Sequence, residues 1–340
     1  MKIIVEANIP YIKGILEPVA TVEYLSADCI DKCAVHDADA LLVRTRTQCN
    51  EGILAGSCCR FIGTATIGTD HIDKDYCKQN GISVHSAPGC NAPAVAQYVI
   101  SSIGYWLSTQ QNDGSKKIQD ITLGVVGVGN VGSIVARWAK SIGFKVLLND
   151  PPRRRVSNCD EFVSLERIQN EADIITFHTP LTTSGVDKTY HLCDSDFINS
   201  LRCCQLIINS ARGGIVDNGA MVDALKCGII KDAIIDCWEN EPCINRELLD
   251  GAFIATPHIA GYSAEGKMRA TSMILQSLKD YFKLEIDVPV IATSALGASF
   301  ITMQSIMKSY NPLDDTRELK AHIENFENLR NTYDLRHEVK

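Results

Sequence analysis

A chain of 340 residues, 45% hydrophobic and 22% charged, is long enough for two or three domains with a sizeable core. Its formal charge of −8 argues against nucleic acid as a partner, since phosphate contacts need a surplus of Lys and Arg; a few local arginines can still bind a small anion. No apolar run approaches the roughly eighteen residues of a membrane span. The 14 cysteines lack CxxC spacing, so free thiols in a reducing cytoplasm are expected, with no metal and no membrane partner.

The first hundred residues hold four short apolar runs, "KIIVEA", "DALLVRT", "CRFIGTA" and "GISVHSA", each followed by loop chemistry. That is the pattern of a parallel sheet wrapped by helices. "NAPAVAQYVISSIGYWLS", 91–108, reads as a long helix, with Asn91 able to cap it and Pro93 in the first turn, where a missing N–H costs little. After the polar stretch "STQQNDGSKKIQD" come six more strand candidates: "ITLGVVGVG", "FKVLLND", "ADIITFHTP", "CCQLIINSA", "KDAIIDCW" and "AFIATPH". Six strands with crossover helices suit a complete dinucleotide-binding sheet. "AEGKMRATSMILQSLKDYFKLE" then repeats apolar residues at helical spacing. The end, 286–340, is highly charged and too poor in apolar residues for its own core, so it reads as a solvated tail or a subunit contact.

"GVVGVGNVGSIVARWAKSIGFKVLLND" carries Gly127, Gly129 and Gly132 in a G-x-G-x-x-G loop between a strand and an amphipathic helix. Such glycines allow a tight turn, close approach to a pyrophosphate and close helix–strand packing, and the helix N-terminus offers free N–H groups to phosphate. Asp150 ends the next strand, where a carboxylate would hold the adenine-ribose hydroxyls and repel a 2′-phosphate. NAD is therefore expected over NADP, although the run Arg153-Arg154-Arg155 could attract that phosphate.

Three more motifs fall just beyond strands: "NSARGG" with Arg212, "DCWENEP" with Asp236 and Glu241, and "TPHIAG" with His258. In a parallel sheet, ligands gather outside the carboxyl ends of the strands. Oxidation of a secondary alcohol needs a base near neutral pH, which suits His258. A carboxylate such as Glu241 would fix its tautomer, and Arg212 would grip a substrate carboxylate and polarise the nascent carbonyl. A lone His after a strand is more often a packed or surface residue, and the sequence spacing alone does not force these three together.

With its glycine loop, N-x-x-R-G arginine, E-P glutamate and P-H histidine all intact, the chain resembles the D-2-hydroxyacid dehydrogenases from residue 1 to about 285. Strings such as "LLVRTRTQCN", "FIGTATIGTDHID", "SAPGCNAPAVAQYV" and "TPHIAGYSAEGK" are similar to a branch of that family acting on a phosphorylated hydroxy acid. The resemblance implies catalytic roles for Arg212, Glu241 and His258. It adds Asn130, Val131, Thr179, Asp236 and Gly261 to the cofactor contacts, and Arg44, Thr45, Thr66 and Tyr262 as substrate contacts. It also implies that the C-terminal stretch is part of a dimerisation domain, shortened here, and it notes Gln97 where relatives often carry Glu.

These readings give an α/β protein of two doubly wound parallel-sheet domains, a Rossmann cofactor domain and a flavodoxin-like substrate domain. The expected boundaries are 1–95 with 262–285 for substrate, 96–261 for NAD, and 286–340 as a short segment making a homodimer. Two alternatives stay open: another D-2-hydroxyacid dehydrogenase, such as one acting on 3-phosphoglycerate, and a non-catalytic scaffold that senses NADH.

Overall fold

The computed structural model describes residues 1–110, 116–157, 161–289 and 301–339; the stretch 290–300 of the expected C-terminal segment lies outside them. The chain divides into two compact units, Met1–Asn91 with Ser263–Thr293, and Ala92–Tyr262 with Ser294–Lys340.

The first unit is built on a five-stranded parallel sheet. Its strands are β1 (Lys2–Glu6), β2 (Thr21–Leu25), β3 (Ala40–Val43), β4 (Phe61–Thr64) and β5 (Ser83–His85), in the order β2-β1-β3-β4-β5. This is the flavodoxin-like order. β3 and β4 are wholly buried apolar runs, as a sheet covered on both faces requires. Strand β2 has no counterpart among the sequence candidates. "TVEYL" lies at the sheet edge, pairs only with β1 and is half-exposed, so its apolar signal is weak. Separate cores on the two faces hold Ile3, Val5 and Leu42, and Ile4, Leu41 and Ile62.

The second unit has six parallel strands, β6 (Thr122–Val126), β7 (Lys145–Asn149), β8 (Ile174–Phe177), β9 (Leu206–Asn209), β10 (Asp232–Ile235) and β11 (Ile254–Ala255). Their order is β11-β10-β9-β8-β6-β7, and a parallel bridge between Leu148 and Phe162 adds a vestigial strand outside β7. With that bridge counted, the strands follow the dinucleotide-binding arrangement, with the order reversing beside β6. The helix Ala92–Thr109 is buried over most of its length and packs, with the helix Asn130–Ile142, on one face.

The residues after 300 pack onto this second unit. Ile301, Ile306, Tyr310 and Val339 enter the core containing Ile100 and Val135, while Leu319 and Phe326 enter the core on the other face. Having few apolar residues of their own, the short helices Met303–Ser309, Pro312–Ala321 and Phe326–Asn331 borrow an existing core rather than form one. Gln97 joins them to the long helix, its amide nitrogen donating to Ser309 Oγ at 2.8 Å and to the His337 carbonyl at 3.1 Å. A carboxylate there could not donate either bond.

Candidate active site

The dinucleotide loop follows β6. Gly127 has φ +88°, and a Cβ there would lie 2.7 Å from the backbone of His178 and Thr179. A Cβ on Gly132 would stand 2.0 Å from the Gly127 carbonyl oxygen, so only glycine lets the helix Asn130–Ile142 seat against its strand. Gly129 has nothing within 4 Å of the corresponding position, which leaves open space beside the helix start. Gly129 is also the helix N-cap and brings no side chain to it, so the first-turn N–H groups of Asn130 and Val131 keep the positive end of the dipole available. Across the loop, Thr179 Oγ1 is buried with no hydrogen-bond partner, a polar atom left for something else to satisfy. Open space, an uncapped helix and an orphaned hydroxyl fit a dinucleotide pyrophosphate.

Asp150 directly follows β7, its carboxylate held by the backbone N–H groups of Val128 (2.9 Å) and Arg153 (3.0 Å). The three arginines that follow are less free than the sequence suggests. Arg153 donates to the Val128 carbonyl and lies over the Phe162 ring at 5.4 Å, and Arg155 pairs with Asp187; Arg154 is exposed. With two of the three guanidinium groups engaged and a carboxylate at the strand end, the loop favours a ribose hydroxyl over a 2′-phosphate. Asp150→Ser should therefore narrow the preference for NAD over NADP about tenfold or more, read as the ratio of the two kcat/KM values.

Arg212, Glu241 and His258 come from the loops after β9, β10 and β11, three adjacent strands with their carboxyl ends on one edge. The Arg212 turn is shaped by Asn209, whose amide donates to the carbonyls of Arg212 (2.9 Å) and Cys237 (3.2 Å) while its oxygen accepts from Ala211 N–H. Next to it, Gly213 lies so near the Trp238 carbonyl that a Cβ would sit 1.8 Å away. The loops bearing Arg212 and Glu241 are thus locked face to face. Ser210, between Asn209 and Arg212, has a buried hydroxyl without a partner on the same edge, a feature the sequence did not flag.

His258 has φ +57°, the left-handed region that costs a non-glycine residue energy and is worth keeping only when its surroundings insist. The insistence comes from Asp236, which is 1% exposed. Its carboxylate accepts the N–H groups of Ile259 (2.8 Å) and Ala260 (3.0 Å) and the Thr256 hydroxyl (2.7 Å), and its carbonyl accepts His258 N–H (2.9 Å). The Tyr98 hydroxyl meets Thr256 Oγ1 at 2.8 Å, tying the same turn to the long helix. Asp236, expected beside the nicotinamide, has its carboxylate occupied in holding the histidine turn. Burial pushes its carboxyl up, against His258 and the three donors that pull it down. Gly261 follows the turn and is half-buried.

The His258 side chain meets Glu241, with Nδ1 2.8 Å from Oε2 and 3.0 Å from Oε1. Oε1 also accepts the Trp238 N–H at 2.9 Å, and the Trp238 indole N–H donates to the Thr256 carbonyl at 2.9 Å, closing the two loops on each other. Burial pushes the Glu241 carboxyl up, but the bond to His258, its charge, the Trp238 N–H and Arg330 together outweigh it and hold Glu241 below its usual range. An ionised carboxylate only accepts, so Nδ1 carries the hydrogen and Nε2 keeps a lone pair. Cys237, Glu241 and His258 place ligand-type atoms within 4.8 Å of one another. Burial pushes the Cys237 thiol well above its ordinary value, and the carboxylate is committed to the imidazole, so the hydrogen bond accounts for the cluster.

The remaining expected contacts lie as follows. Arg44 follows β3; its backbone N–H donates to the buried Glu6 carboxylate at 2.8 Å, one guanidinium nitrogen donates to the Asn8 carbonyl at 3.3 Å, and Nε is buried without a partner. Thr45 is exposed beside it. Thr66, just past β4, donates to the Gly68 carbonyl at 2.9 Å and lies 2.7 Å from the Thr64 hydroxyl. His71 is buried with Nε2 3.1 Å from Thr64 Oγ1, while its neighbour Asp73 caps the helix Lys74–Gln79. In the second unit, Tyr262 sits four residues past His258 with its ring edge-on to Tyr333 at 6.1 Å.

A dinucleotide cradle and a carboxylate-held imidazole on one sheet edge define a nicotinamide-dependent dehydrogenase. Residues 94–260 match the family model described as the D-isomer specific 2-hydroxyacid dehydrogenase, NAD binding domain, and this chain belongs to that family, with NAD as its cofactor. Among its relatives, the erythronate-4-phosphate dehydrogenase of Bacteroides thetaiotaomicron is 48% identical over 100% of this chain and 98% of that one, and that of Porphyromonas gingivalis is 39% identical over 100% and 94%. The Escherichia coli protein of the same name is 43% identical but aligns over 83% of this chain and 73% of its own. Among solved structures, the D-lactate dehydrogenase of Aquifex aeolicus, complexed with NAD and lactic acid, covers 83% of this chain with a TM-score of 0.68 at 24% identity, a likeness of fold.

Proposed function

We propose that the chain oxidises 4-phospho-D-erythronate at C2 to 2-oxo-3-hydroxy-4-phosphobutanoate, with NAD, as a step in pyridoxal 5′-phosphate biosynthesis. The observation that carries the reaction type is the Glu241–His258 pair, at 2.8 Å on a turn that Asp236 anchors. Relatives bearing the erythronate-4-phosphate name over the whole chain carry the choice of acid.

Bound NAD would supply the hydride acceptor, held by the loop Gly127–Gly132 with Asn130 and Val131, by Asp150 at the ribose and by Thr179 Oγ1. His258 Nε2 takes the C2 hydroxyl proton as the C–H bond breaks, and Glu241 stabilises the imidazolium that forms. The Arg212 guanidinium holds the substrate carboxylate and the growing carbonyl charge. Arg44, Thr45, Thr66 and Tyr262 are assigned to the rest of the substrate. The unpartnered Nε of Arg44 is a natural donor to a phosphate oxygen.

A panel of phosphorylated and plain 2-hydroxy acids, followed at the nicotinamide absorbance, tests the assignment. A strong preference for 4-phospho-D-erythronate is expected; equal or better turnover of 3-phosphoglycerate would reassign the substrate. NADH-dependent capture of a protein partner with no turnover of any acid would favour the scaffold reading. We place the enzyme in the cytoplasm as a homodimer. No described helix is long and apolar enough to cross a membrane, and every described cysteine is free, as a reducing compartment keeps it.

A further inference from the structure

We propose that Arg330, in the C-terminal helix Phe326–Asn331, is a positioning residue for the reaction: its guanidinium faces Glu241 beside the bond to His258 and sets how readily that imidazole takes a proton. The proposal gives the C-terminal segment a part in the chemistry besides any role in association, and it rests on the reading of His258 as the base.

The geometry is that of a charge held close but not bonded. Arg330 reaches to 3.9 Å from Glu241 Oε2 and 4.0 Å from Glu327, with its side chain 21% exposed. Both oxygens of Glu241 are already engaged by the His258 ring, and Oε1 also by Trp238 N–H, so Arg330 acts on the pair through charge without displacing the imidazole. Its Nε is buried without a hydrogen-bond partner, a cost that a residue serving packing alone would not need. Arg330 also bonds Tyr262, and so links the carboxylate to a residue assigned to the substrate.

The segment that carries Arg330 is fixed to the same turn. Arg336 donates to the carbonyls of Ile259 (3.0 Å), Ala94 (3.2 Å) and Ala260, and its guanidinium lies 4.3 Å from the centre of the Tyr310 ring. Three carbonyls, two of them just after His258, thus bind one half-buried cation. The helix bearing Arg330 is therefore in register with the catalytic turn rather than loosely appended to it.

Other charges face this site. Asp236 and Cys237 come from the end of β10, Arg212 from the loop after β9, and Tyr262 from beyond β11. The C-terminal segment adds Glu327, Tyr333, Asp315 and Arg336. Of these, Arg330 lies 3.9 Å from the Glu241 carboxylate. The sign follows directly. Glu241 favours the imidazolium, and Arg330 opposes it, so that a neutral base persists at lower pH. Without Arg330 the imidazolium gains, the acid limb of substrate oxidation moves to higher pH, and the alkaline limb of the reverse reduction moves the same way.

The test compares the full-length parent with R330Q and R330K. R330Q should shift the acid limb of kcat/KM upward by about half a unit to one unit, the size expected of one nearby charge in a partly buried site. R330K should restore the parent profile. The same upward displacement should appear in the His258 ring resonances of R330Q, titrated by NMR without substrate, so the result does not depend on turnover. A parent that oxidises no hydroxy acid would defeat the proposed reaction and leave the NMR arm to decide this inference. An active parent whose R330Q variant loses rate with both profiles unmoved overturns it. Should R330Q fail to fold, E327Q on the same face of the helix carries the readout: loss of that carboxylate, 4.0 Å from the guanidinium, should displace the titration downward, and no displacement overturns the proposal.

Discussion

His258→Ala should lower kcat for hydroxy-acid oxidation by about 10²- to 10⁴-fold, the usual contribution of a positioned general base. NAD affinity, measured by calorimetry, should stay as in the parent, because the cradle of Gly127, Gly129, Gly132 and Thr179 hangs on other strands, β6 and β8. The separation matters. His258 is held in the left-handed region by its backbone bond to Asp236 and by the bonds of Ile259 and Ala260 to the same residue, none of which involves the imidazole. Removing the ring therefore leaves the turn standing, and lost turnover reports the missing base rather than a collapsed loop. Glu241→Gln should reproduce a large part of the loss. An amide can donate as well as accept, so it no longer dictates that Nδ1 bears the hydrogen. Equal turnover in the parent and the alanine variant would remove the proton path altogether.

Arg212→Met should lower kcat/KM by about 10²- to 10³-fold, the range seen when a donor to developing negative charge is removed from a protected site. Lysine should recover little of this, since a point charge on a flexible stem cannot make the paired bonds of a guanidinium to a carboxylate. The Asn209 amide and the tight Gly213–Trp238 contact set the path of the backbone here, so neither variant should disturb the loop itself. Far-ultraviolet circular dichroism and NAD affinity check that point. A methionine variant whose kcat/KM stays within about threefold of the parent would assign the substrate carboxylate to another residue.

How much of this was legible in the sequence depended on how locally each feature is specified. The glycine loop announces itself because Gly127 needs a positive φ and Gly132 a contact no Cβ allows, and both demands act within six residues. The buried strands β3, β4, β6 and β8 to β11 are legible because a doubly covered parallel sheet demands unbroken apolar runs. Strand β2 is not, since an edge strand needs only one good face. Arg212, Glu241 and His258 were nominated by residue type at strand ends, but that their loops are neighbours depends on β9, β10 and β11 lying side by side, which spacings of 29 and 17 residues do not encode. Asp236 was legible as an acid at a strand end, and its hold on the His258 turn was not, because that hold is made through backbone N–H groups twenty-odd residues away. Arg330 and Arg336 were the least visible. In the sequence they belong to a charged terminal helix, and only the tertiary fold sets them against Glu241 and the turn after His258.

Asp150 and Arg153 show the same limit on a smaller scale. Three consecutive arginines beside a ribose-binding acid suggest attraction for a 2′-phosphate, yet Arg153 folds back onto the Val128 carbonyl and Arg155 pairs with Asp187. Composition gives the charges; the bonds decide which of them a ligand meets.

The most direct measurement uses 4-phospho-D-erythronate deuterated at C2, with the reduced cofactor recovered from the full-length chain and weighed by mass spectrometry. One deuterium per reduced nicotinamide is expected with the parent chain, and almost no reduced cofactor formed with His258→Ala over the same interval. Reduced cofactor without the label, or labelled cofactor formed as fast without the imidazole, would contradict it.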